Sequence, residues 1–479
     1  MGYQPVIGLE IHAQLLTEHK VFCSCENGFA KEENTNCCGY CTGIPGTLPC
    51  LNRDAVALAV KAGLALGCKI QKISSFDRKN YFYPDLPKAY QITQFFHPIC
   101  TDGAVRIGKR TIRIERIHIE EDAGKLLHEQ SQTKTLVDLN RAAVPLIEIV
   151  TKPDISSAEE ARLFVEEVAA RLIYAGVCDG RMQEGSLRVD VNISVHHPGE
   201  ALGVRAEIKN LNSYRSVVQA IEYEISRQTA LLEKGEKVEQ QTRRFDETSG
   251  TTHLLRRKAE AEDYRYFPEP DLPLIILTEK DIQNLQKEIP EMPSERLERY
   301  CTQYHLSKED AAVLVSKREI SDFYEKVISE NKLYKESAVL IRMDLLKLLE
   351  KRGQKISSVD ASVIAKLIKL YKGKDAWLSH SQAVSVLEKL LEGESDPIKT
   401  AEKLGFLKKQ DPEAFQKAVA EVIMENPKAV KQYQDGVQKV YGFLIGQISK
   451  KLGAGFDAKL AGQYLTKQLT SHNPSTTEK

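Results

Sequence analysis

Between Arg181 and Asn210, polar and charged side chains recur at every second position. In Glu184-Gly-Ser-Leu-Arg-Val-Asp-Val-Asn192, the residues Glu184, Ser186, Arg188, Asp190 and Asn192 alternate with Leu187, Val189, Val191 and Ile193. In Val204-Arg-Ala-Glu-Ile-Lys-Asn210, the residues Arg205, Glu207 and Lys209 alternate with Val204, Ala206 and Ile208. A strand sends successive side chains to opposite faces, so each run has one apolar face and one of mixed charge. Acids interleaved with Arg, Lys and Asn suit a site that holds Mg²⁺ and phosphates together. A solvated strand face is the plainer account of the same pattern.

The amino-terminal run Val6 to Leu15 repeats the pattern, with Glu10, His12 and Gln14 on one face and Ile7, Leu9, Ile11, Ala13 and Leu15 on the other. A fourth run, Ile112 to Lys125, alternates through Ile117-His118-Ile119-Glu120 and then breaks into the adjacent acids Glu120, Glu121 and Asp122. Neighbouring carboxylates repel, and are tolerated in water or beside a cation. Four separated segments offering one polar face each favour a shared site.

The ten cysteines suggest a different chemistry. Five fall between Cys23 and Cys41, in the order Cys23-Ser-Cys25, twelve residues, Cys38-Gly-Tyr-Cys41. Without a secretory signal, such cysteines point to thiols or metal rather than disulfides. Two close pairs across a short loop suit tetrahedral Zn²⁺, with Cys23, Cys25, Cys38 and Cys41 as ligands. Cys37 competes with Cys38 for one position, and a cluster of reduced thiols is the alternative. Gly39-Tyr-Cys41-Thr-Gly43 mimics a nucleophile elbow, but no apolar strand precedes it and no helical pattern follows closely.

These groups need a scaffold. A chain of 479 residues predicts two to four domains. Apolar content of 42% and charged content of 28% are those of a soluble globular protein. Basic and acidic residues both total 67, so the chain as a whole is no strongly basic nucleic-acid binder. The stretch 406–479 is locally basic, with 11 Lys against 7 acids. No apolar run approaches membrane-spanning length, which predicts a cytoplasmic protein, or one of an organelle matrix, without membrane contact.

Up to about Pro290, short alternating runs are broken by Gly, Pro and Asn. Helices are expected over Asn52–Leu66, from Ser156 or Ser157 to Ile173, and over Asn212–Lys234. Irregular mixing of strands and helices favours α+β with an antiparallel sheet over a doubly wound one. Prolines at 268, 270, 273, 290 and 293 mark a break, beyond which nearly everything reads as helix. Ser307 with Asp310, and the pairs Asp396-Pro397, Asp411-Pro412 and Asn426-Pro427, are helix starts. Gly405 is a helix stop. The expected domains are 1–292 with the knuckle at 23–41, a helical domain 293–405, and a helical tail 406–479 whose last residues from Ser471 are disordered.

Six motifs give the chain a close resemblance to one family. They are Val6-Ile-Gly-Leu-Glu-Ile-His12, Asp77-Arg-Lys-Asn-Tyr-Phe-Tyr-Pro-Asp-Leu-Pro-Lys-Ala-Tyr-Gln91, His118-Ile-Glu-Glu-Asp-Ala-Gly-Lys125, Leu139-Asn-Arg-Ala-Ala-Val-Pro-Leu-Ile-Glu148, Arg188-Val-Asp-Val-Asn-Ile-Ser194 and Glu207-Ile-Lys-Asn-Leu-Asn212. The chain resembles, over nearly its whole length, the B subunit of the aspartyl/glutamyl-tRNA amidotransferase. The resemblance implies a cradle domain like the catalytic fold of glutamine synthetase, followed by two all-α domains. It implies that ATP phosphorylates the side-chain carboxylate of Glu or Asp misacylated on tRNA, and that ammonia then displaces phosphate.

For that chemistry, Glu10, His12, Glu120 or Glu121, Asp190 and Glu207 are the expected Mg²⁺ ligands, directly or through water. His12 is the odd member, since imidazole prefers softer metals, and it either orients a carboxylate or touches phosphate. Arg188, Lys209, Lys79 and Lys88 are candidates for the γ-phosphate and the substrate carboxylate. Ser186, Asn192 and Asn210 would fix orientation. Tyr81, Tyr83 and Tyr90 would line the nucleotide pocket or the acceptor-end entrance, with core packing an equal alternative. The family has the same two cysteine pairs, and Cys37 stands where it commonly has an apolar residue.

No Walker A loop and no kinase motif set occurs, as expected of the glutamine synthetase mode of ATP use. No amidase-type Gly/Ser-rich segment occurs either. The resemblance therefore implies three partners: a separate glutaminase (the A subunit), a small clamping protein (the C subunit) and misacylated tRNA. The tail run Val440 to Lys450 matches the tRNA-reading end of the family. Gly453 to Ala458 departs from it where the family often has Gly-Lys-Ala-Asn-Pro, leaving Lys450, Lys451 and Lys459 for backbone contacts. A non-catalytic tRNA-binding scaffold is the competing reading, and it gives no reason for acids opposite Arg and Lys on four strand faces.

Overall fold

The structure is a computed structural model, and it describes residues 2–28, 32–127, 134–257, 264–374, 376–406, 412–434, 437, 439–452 and 458–471. The chain packs as two compact units, Met1–Arg296 and Leu297–Lys479.

The first unit is α+β. Its strands are, in chain order, β1 (Gln4–Gln14), β2 (Lys69–Ile70), β3 (Ile73–Ser74), β4 (Asp77–Asn80), β5 (Tyr90–Thr93), β6 (Cys100–Ile107), β7 (Arg110–Glu121) and β8 (Lys125–Leu127). They continue as β9 (Leu136–Asp138), β10 (Pro145–Thr151), β11 (Leu187–His196), β12 (Ala206–Leu211), β13 (Gln241–Asp246), β14 (Thr251–Arg257), β15 (Phe267–Pro268) and β16 (Ile275–Ile276). Nine of them make one sheet in the order β14-β13-β12-β11-β1-β10-β7-β6-β2. Its pairs are antiparallel except β12–β13, which is parallel. The sheet is therefore mixed, where an antiparallel one was expected. The cause is α3 (Tyr214–Glu233), which returns the chain from β12 to β13 in the same direction, as a parallel pair requires.

One face of the sheet is the core. Ile7, Leu9, Ile11 and Ala13 of β1, Ile147 and Ile149 of β10, Ile117 and Ile119 of β7, and Val189, Val191 and Ile193 of β11 are all buried in one cluster. Helices α1 (Arg53–Ala65), α2 (Ala158–Tyr174) and α3 add Ala59, Phe164, Val168, Val217 and Ile221 to it. The helices start where the capping residues stand: Asn52 accepts from the Asp54 amide, Ser157 from Glu160 and Ser213 from Ser216. Burying an Ile or Val contributes roughly 1.5–3 kcal/mol. This face alone can hold the unit together, leaving the opposite face free to carry charge.

From Leu297 on, the described regular elements are helices. Tyr300, Tyr324, Ile341, Ile364, Ile368, Val386 and Leu387 anchor one cluster, and Val419, Val422, Leu444, Ile448 and Leu465 another. Ser307 accepts from the Asp310 amide, Asp396 caps the helix that Pro397 opens, and Pro427 opens another. Gly405 has φ +75, as a helix stop requires. Asp411, the turn 453–457 and the end beyond Ser471 lie outside the described residues. Among the described residues no helix is long and apolar enough to cross a membrane.

Candidate active site

Register lines up the polar groups. His12 pairs with Arg188 on one side and Glu148 on the other, and Glu148 pairs with His118. Arg188, His12, Glu148 and His118 thus form one row across four strands. The next row is Asp190, Glu10, Val150 and Arg116. Because side chains alternate, every member of these rows points away from the apolar core.

Two acidic groups result. His12, Glu120 and Glu148 bring their ligand atoms within 4.8 Å of one another, and so do Glu10, Asp190 and Glu207. Both line one cavity of about 530 Å³, together with Lys79, Tyr81, Asp122, Arg188, Lys209 and Asn210. Strands β12 to β14, at the other end of the same sheet from β7, add Glu207, Thr242 and Arg256 to its wall.

The first group carries its own cations. His12 Nε2 lies 3.5 Å from Glu120 and 3.6 Å from Glu148, and His118 Nε2 lies 3.2 Å from Glu148. Burial opposes charge on both rings, but the Glu148 and Glu120 carboxylates override it and raise each to about 9. Glu148 is largely removed from water too, yet the two histidines hold it well below the usual carboxylate range.

The second group is under-compensated. Burial, then the charges of Glu148, Asp190 and Glu207, push Glu10 up. Two carboxylates at 4.8 Å repel by about 3 kcal/mol at an effective dielectric near 20. Lys209 offsets part of this, 2.8 Å from Glu207 and 3.4 Å from Asp190. Burial opposes its effect, but Lys209 and the Thr242 hydroxyl, 3.0 Å away, still hold Glu207 down. Asn192 donates to Glu10 at 3.0 Å. A register shift between β11 and β12 puts Asn210 in the left-handed region, φ +60, and turns its amide onto Asp190 at 2.8 Å. Three carboxylates at this range, only one of them buried, offer the hard oxygen donors that a divalent cation needs.

Fixed cations surround the pair. Arg188 donates to Asp122 at 3.1 Å, and Arg141 pairs with the same carboxylate. Lys79 Nζ stands 4.8 Å from the Tyr264 ring and 5.7 Å from Tyr81. Phe95, which also lines the cavity, stacks on Tyr266 at 4.0 Å.

Several expected residues lie elsewhere. Glu120 and Glu121 are consecutive in β7, so they face opposite ways: Glu120 lines the cavity, and Glu121 is buried on the far side. There Glu121 accepts from Lys88, from Tyr40 at 3.1 Å and from the Ile92 amide at 2.9 Å. Lys88 is thus taken up by Glu121 and Tyr40 and is absent from the cavity lining. Strand β11 begins at Leu187, after a 3-10 turn, so Glu184 pairs with Arg181, and Ser186 with Asp179. Tyr83 is 58% exposed, and Tyr90 lies under Arg78 at 4.3 Å. In the tail, Lys451 is held by Glu421 at 2.8 Å and Glu425 at 2.6 Å.

The expected set omitted Glu148 and His118, which the row makes central. Glu148 is the one acid in the apolar run Pro145 to Val150, and His118 alternates with Glu120. Both signals are present in the sequence. Their meaning depends on β10 standing between β1 and β7, which no local pattern states.

A second centre lies outside the cavity. Cys23, Cys25, Cys38 and Cys41 bring their sulfurs within 4.8 Å of one another. Cys41 Sγ lies 3.5 Å from Cys23, 3.8 Å from Cys38 and 3.9 Å from Cys25. Ligands at about 2.3 Å around a tetrahedral Zn²⁺ would be about 3.8 Å apart. Hydrogen bonding from Cys23, aided by Lys20, lowers the Cys41 thiol to about 4 despite burial. Cys37 turns away and donates to the Asn34 carbonyl at 3.3 Å.

The stretch that carries this sheet, cavity and cysteine cluster matches in sequence the model of the GatB/GatE catalytic domain, over residues 5–283. A second model, the GatB domain, matches residues 322–469. Among curated relatives, the B subunit of the aspartyl/glutamyl-tRNA(Asn/Gln) amidotransferase of Ruminiclostridium cellulolyticum is 46% identical over 98% of both chains. That of Caldicellulosiruptor saccharolyticus is 47% identical over 98% of this chain and 99% of its own. That of Clostridium beijerinckii is 44% identical over 98% of this chain and all of its own. The chain belongs to the family of aspartyl/glutamyl-tRNA(Asn/Gln) amidotransferase B subunits.

Proposed function

We propose that this chain is the kinase and transamidase component of a tRNA-dependent amidotransferase, acting on Glu-tRNA(Gln) or Asp-tRNA(Asn). The sheet serves as a cradle of the glutamine synthetase kind. The substrate side-chain carboxylate attacks the γ-phosphorus of ATP and ADP leaves. Ammonia then attacks the acyl carbon, phosphate leaves, and loss of a proton gives the amide. A carboxylate cannot be displaced directly because oxide is too poor a leaving group.

The observation that carries this reading is the close approach of Glu10, Asp190 and Glu207 inside a cavity rimmed by cations. Carboxylate oxygens are the right donors for Mg²⁺, which supplies neutralisation of phosphate charge as ATP and substrate meet. Glu10, Asp190 and Glu207 would hold one such ion and His12, Glu120 and Glu148 another. Asn210 and Asn192 fix Asp190 and Glu10 in place. Asp122 aims Arg188 into the cavity, and Lys79 stands free of any carboxylate contact in the described structure for the incoming anion.

Ammonia is supplied by a partner glutaminase, the A subunit, assembled with the small C subunit, and the basic tail carries tRNA. The four cysteines hold a structural Zn²⁺ as thiolates. Asp190→Asn in the reconstituted complex should abolish phosphate release driven by misacylated tRNA, with glutamine hydrolysis by the partner retained. Undiminished phosphate release would return the chain to a scaffold role.

A further inference from the structure

The Lys20 side chain is fully buried, 0% exposed. Its Nζ donates to the Asn36 carbonyl at 2.9 Å and to Cys41 Sγ at 3.5 Å. Among the described residues these two, a carbonyl and a sulfur, are the partners of its Nζ. An ammonium removed from water costs several kcal/mol and persists where a negative charge offsets it. Neither a carbonyl nor a neutral thiol carries that charge, whereas a thiolate does.

We infer that Lys20 is the built-in counter-cation of the four-cysteine centre, holding the loaded metal through a charged hydrogen bond to Cys41. The inference rests on the reading of that centre as a zinc site. Four thiolates around a dication would carry a formal charge of −2, and Lys20 would halve it. Cys41 is the fitting recipient, since its sulfur approaches the other three at 3.5, 3.8 and 3.9 Å.

The lysine is held in position. Asn36, whose carbonyl accepts a hydrogen bond from Lys20, is itself fixed by its amide donating to Asn140 at 2.7 Å and its side chain donating to the Glu26 carbonyl at 2.7 Å. Lys20 and Cys25 are joined through the Lys20 amide, 2.9 Å from the Cys25 carbonyl. One residue thus touches the centre through both backbone and side chain. Partners that orient metal ligands typically change affinity by roughly 10–100-fold when removed.

The test uses the full chain and two readouts: Zn²⁺ affinity by competition with a chromophoric chelator, and the spectrum of the Co²⁺-substituted protein. Lys20→Met should bind Zn²⁺ roughly 10–100-fold more weakly than wild type. Its sulfur-to-cobalt charge-transfer band should move to lower energy, because the charged N–H no longer stabilises the thiolate lone pair. The d–d bands of four-sulfur coordination and the circular dichroism should be retained. If Lys20→Met is recovered unfolded, Lys20→Gln keeps a neutral donor to Asn36 and should show the same two shifts. Wild-type affinity and an unmoved band in a folded variant would overturn the role of Lys20 while leaving the zinc reading intact. A wild-type chain that takes up no Zn²⁺ would overturn both.

Discussion

The two acidic groups in the cavity face the same problem and meet it in opposite ways. His12, Glu120 and Glu148 sit with His118, and the histidines supply the missing positive charge themselves. Glu10, Asp190 and Glu207 have Lys209, and Glu10 remains pushed up by burial and by its neighbours. Without a bound ion the first group is a closed ionic network that strengthens the fold, and the His12 ring must release its proton before an ion can take that place. The second is an open one, with Lys209 offsetting only part of the charge of three acids. A strand face can therefore carry both a stabilising and a ligand-hungry acid cluster a few residues apart.

Substitutions at matched positions break or sharpen this contrast. The largest effect expected is on turnover. Glu10→Gln should reduce tRNA-dependent ATP hydrolysis on the order of 10²–10³-fold, as loss of one preorganised electrostatic group does. Single-turnover phosphate release checks it. Next is stability: Glu148→Gln strands His12 and His118 without their shared anion and should lower unfolding free energy by about 3–5 kcal/mol in chemical denaturation. Glu10→Gln should move stability the other way, raising the melting temperature of the metal-free protein, because it removes a repelled acid. If both substitutions destabilise alike, the contrast between the groups fails.

A pH scan gives a smaller, directional effect. The rings of His12 and His118 are raised from 6.5 to about 9. The folded state then holds protons that the unfolded state has released, so stability falls as pH rises. In the metal-free protein this contribution should be complete below about pH 6.5 and lost through about pH 9. His118→Gln should flatten that slope in urea titrations. The smallest effect belongs to the knuckle: Cys37→Ser should leave zinc content unchanged by elemental analysis, whereas Cys38→Ser should lose the metal.

Much of this architecture is legible in the sequence, for reasons that differ by residue. Alternation in β1, β7, β11 and β12 states which side chains share a face of their own strand, and the family resemblance is what gathers Glu10, His12, Asp190, Glu207 and Lys209 into one expected site. Of the two candidate caps Ser156 and Ser157 it is Ser157 that starts α2, and Ser213, one residue past the expected start at Asn212, that caps α3. What alternation cannot give is strand order. Glu148 does not read as a site residue because its role depends on β10 separating β1 from β7. Period two gives opposite faces to Glu120 and Glu121 but not which face is the core, and Lys88 follows Glu121 to the far side. The parallel β12–β13 pair escapes for a related reason: the direction in which α3 returns the chain is a tertiary fact.

Counting divalent ions tests the central claim most directly. Titrating the chain with Mn²⁺ in the presence of a non-hydrolysable ATP analogue, and following free Mn²⁺ by electron paramagnetic resonance, should show two ions bound at the sheet face. Asp190→Asn should lose one of them and keep the other. Binding that is absent, or identical in wild type and Asp190→Asn, would contradict the account.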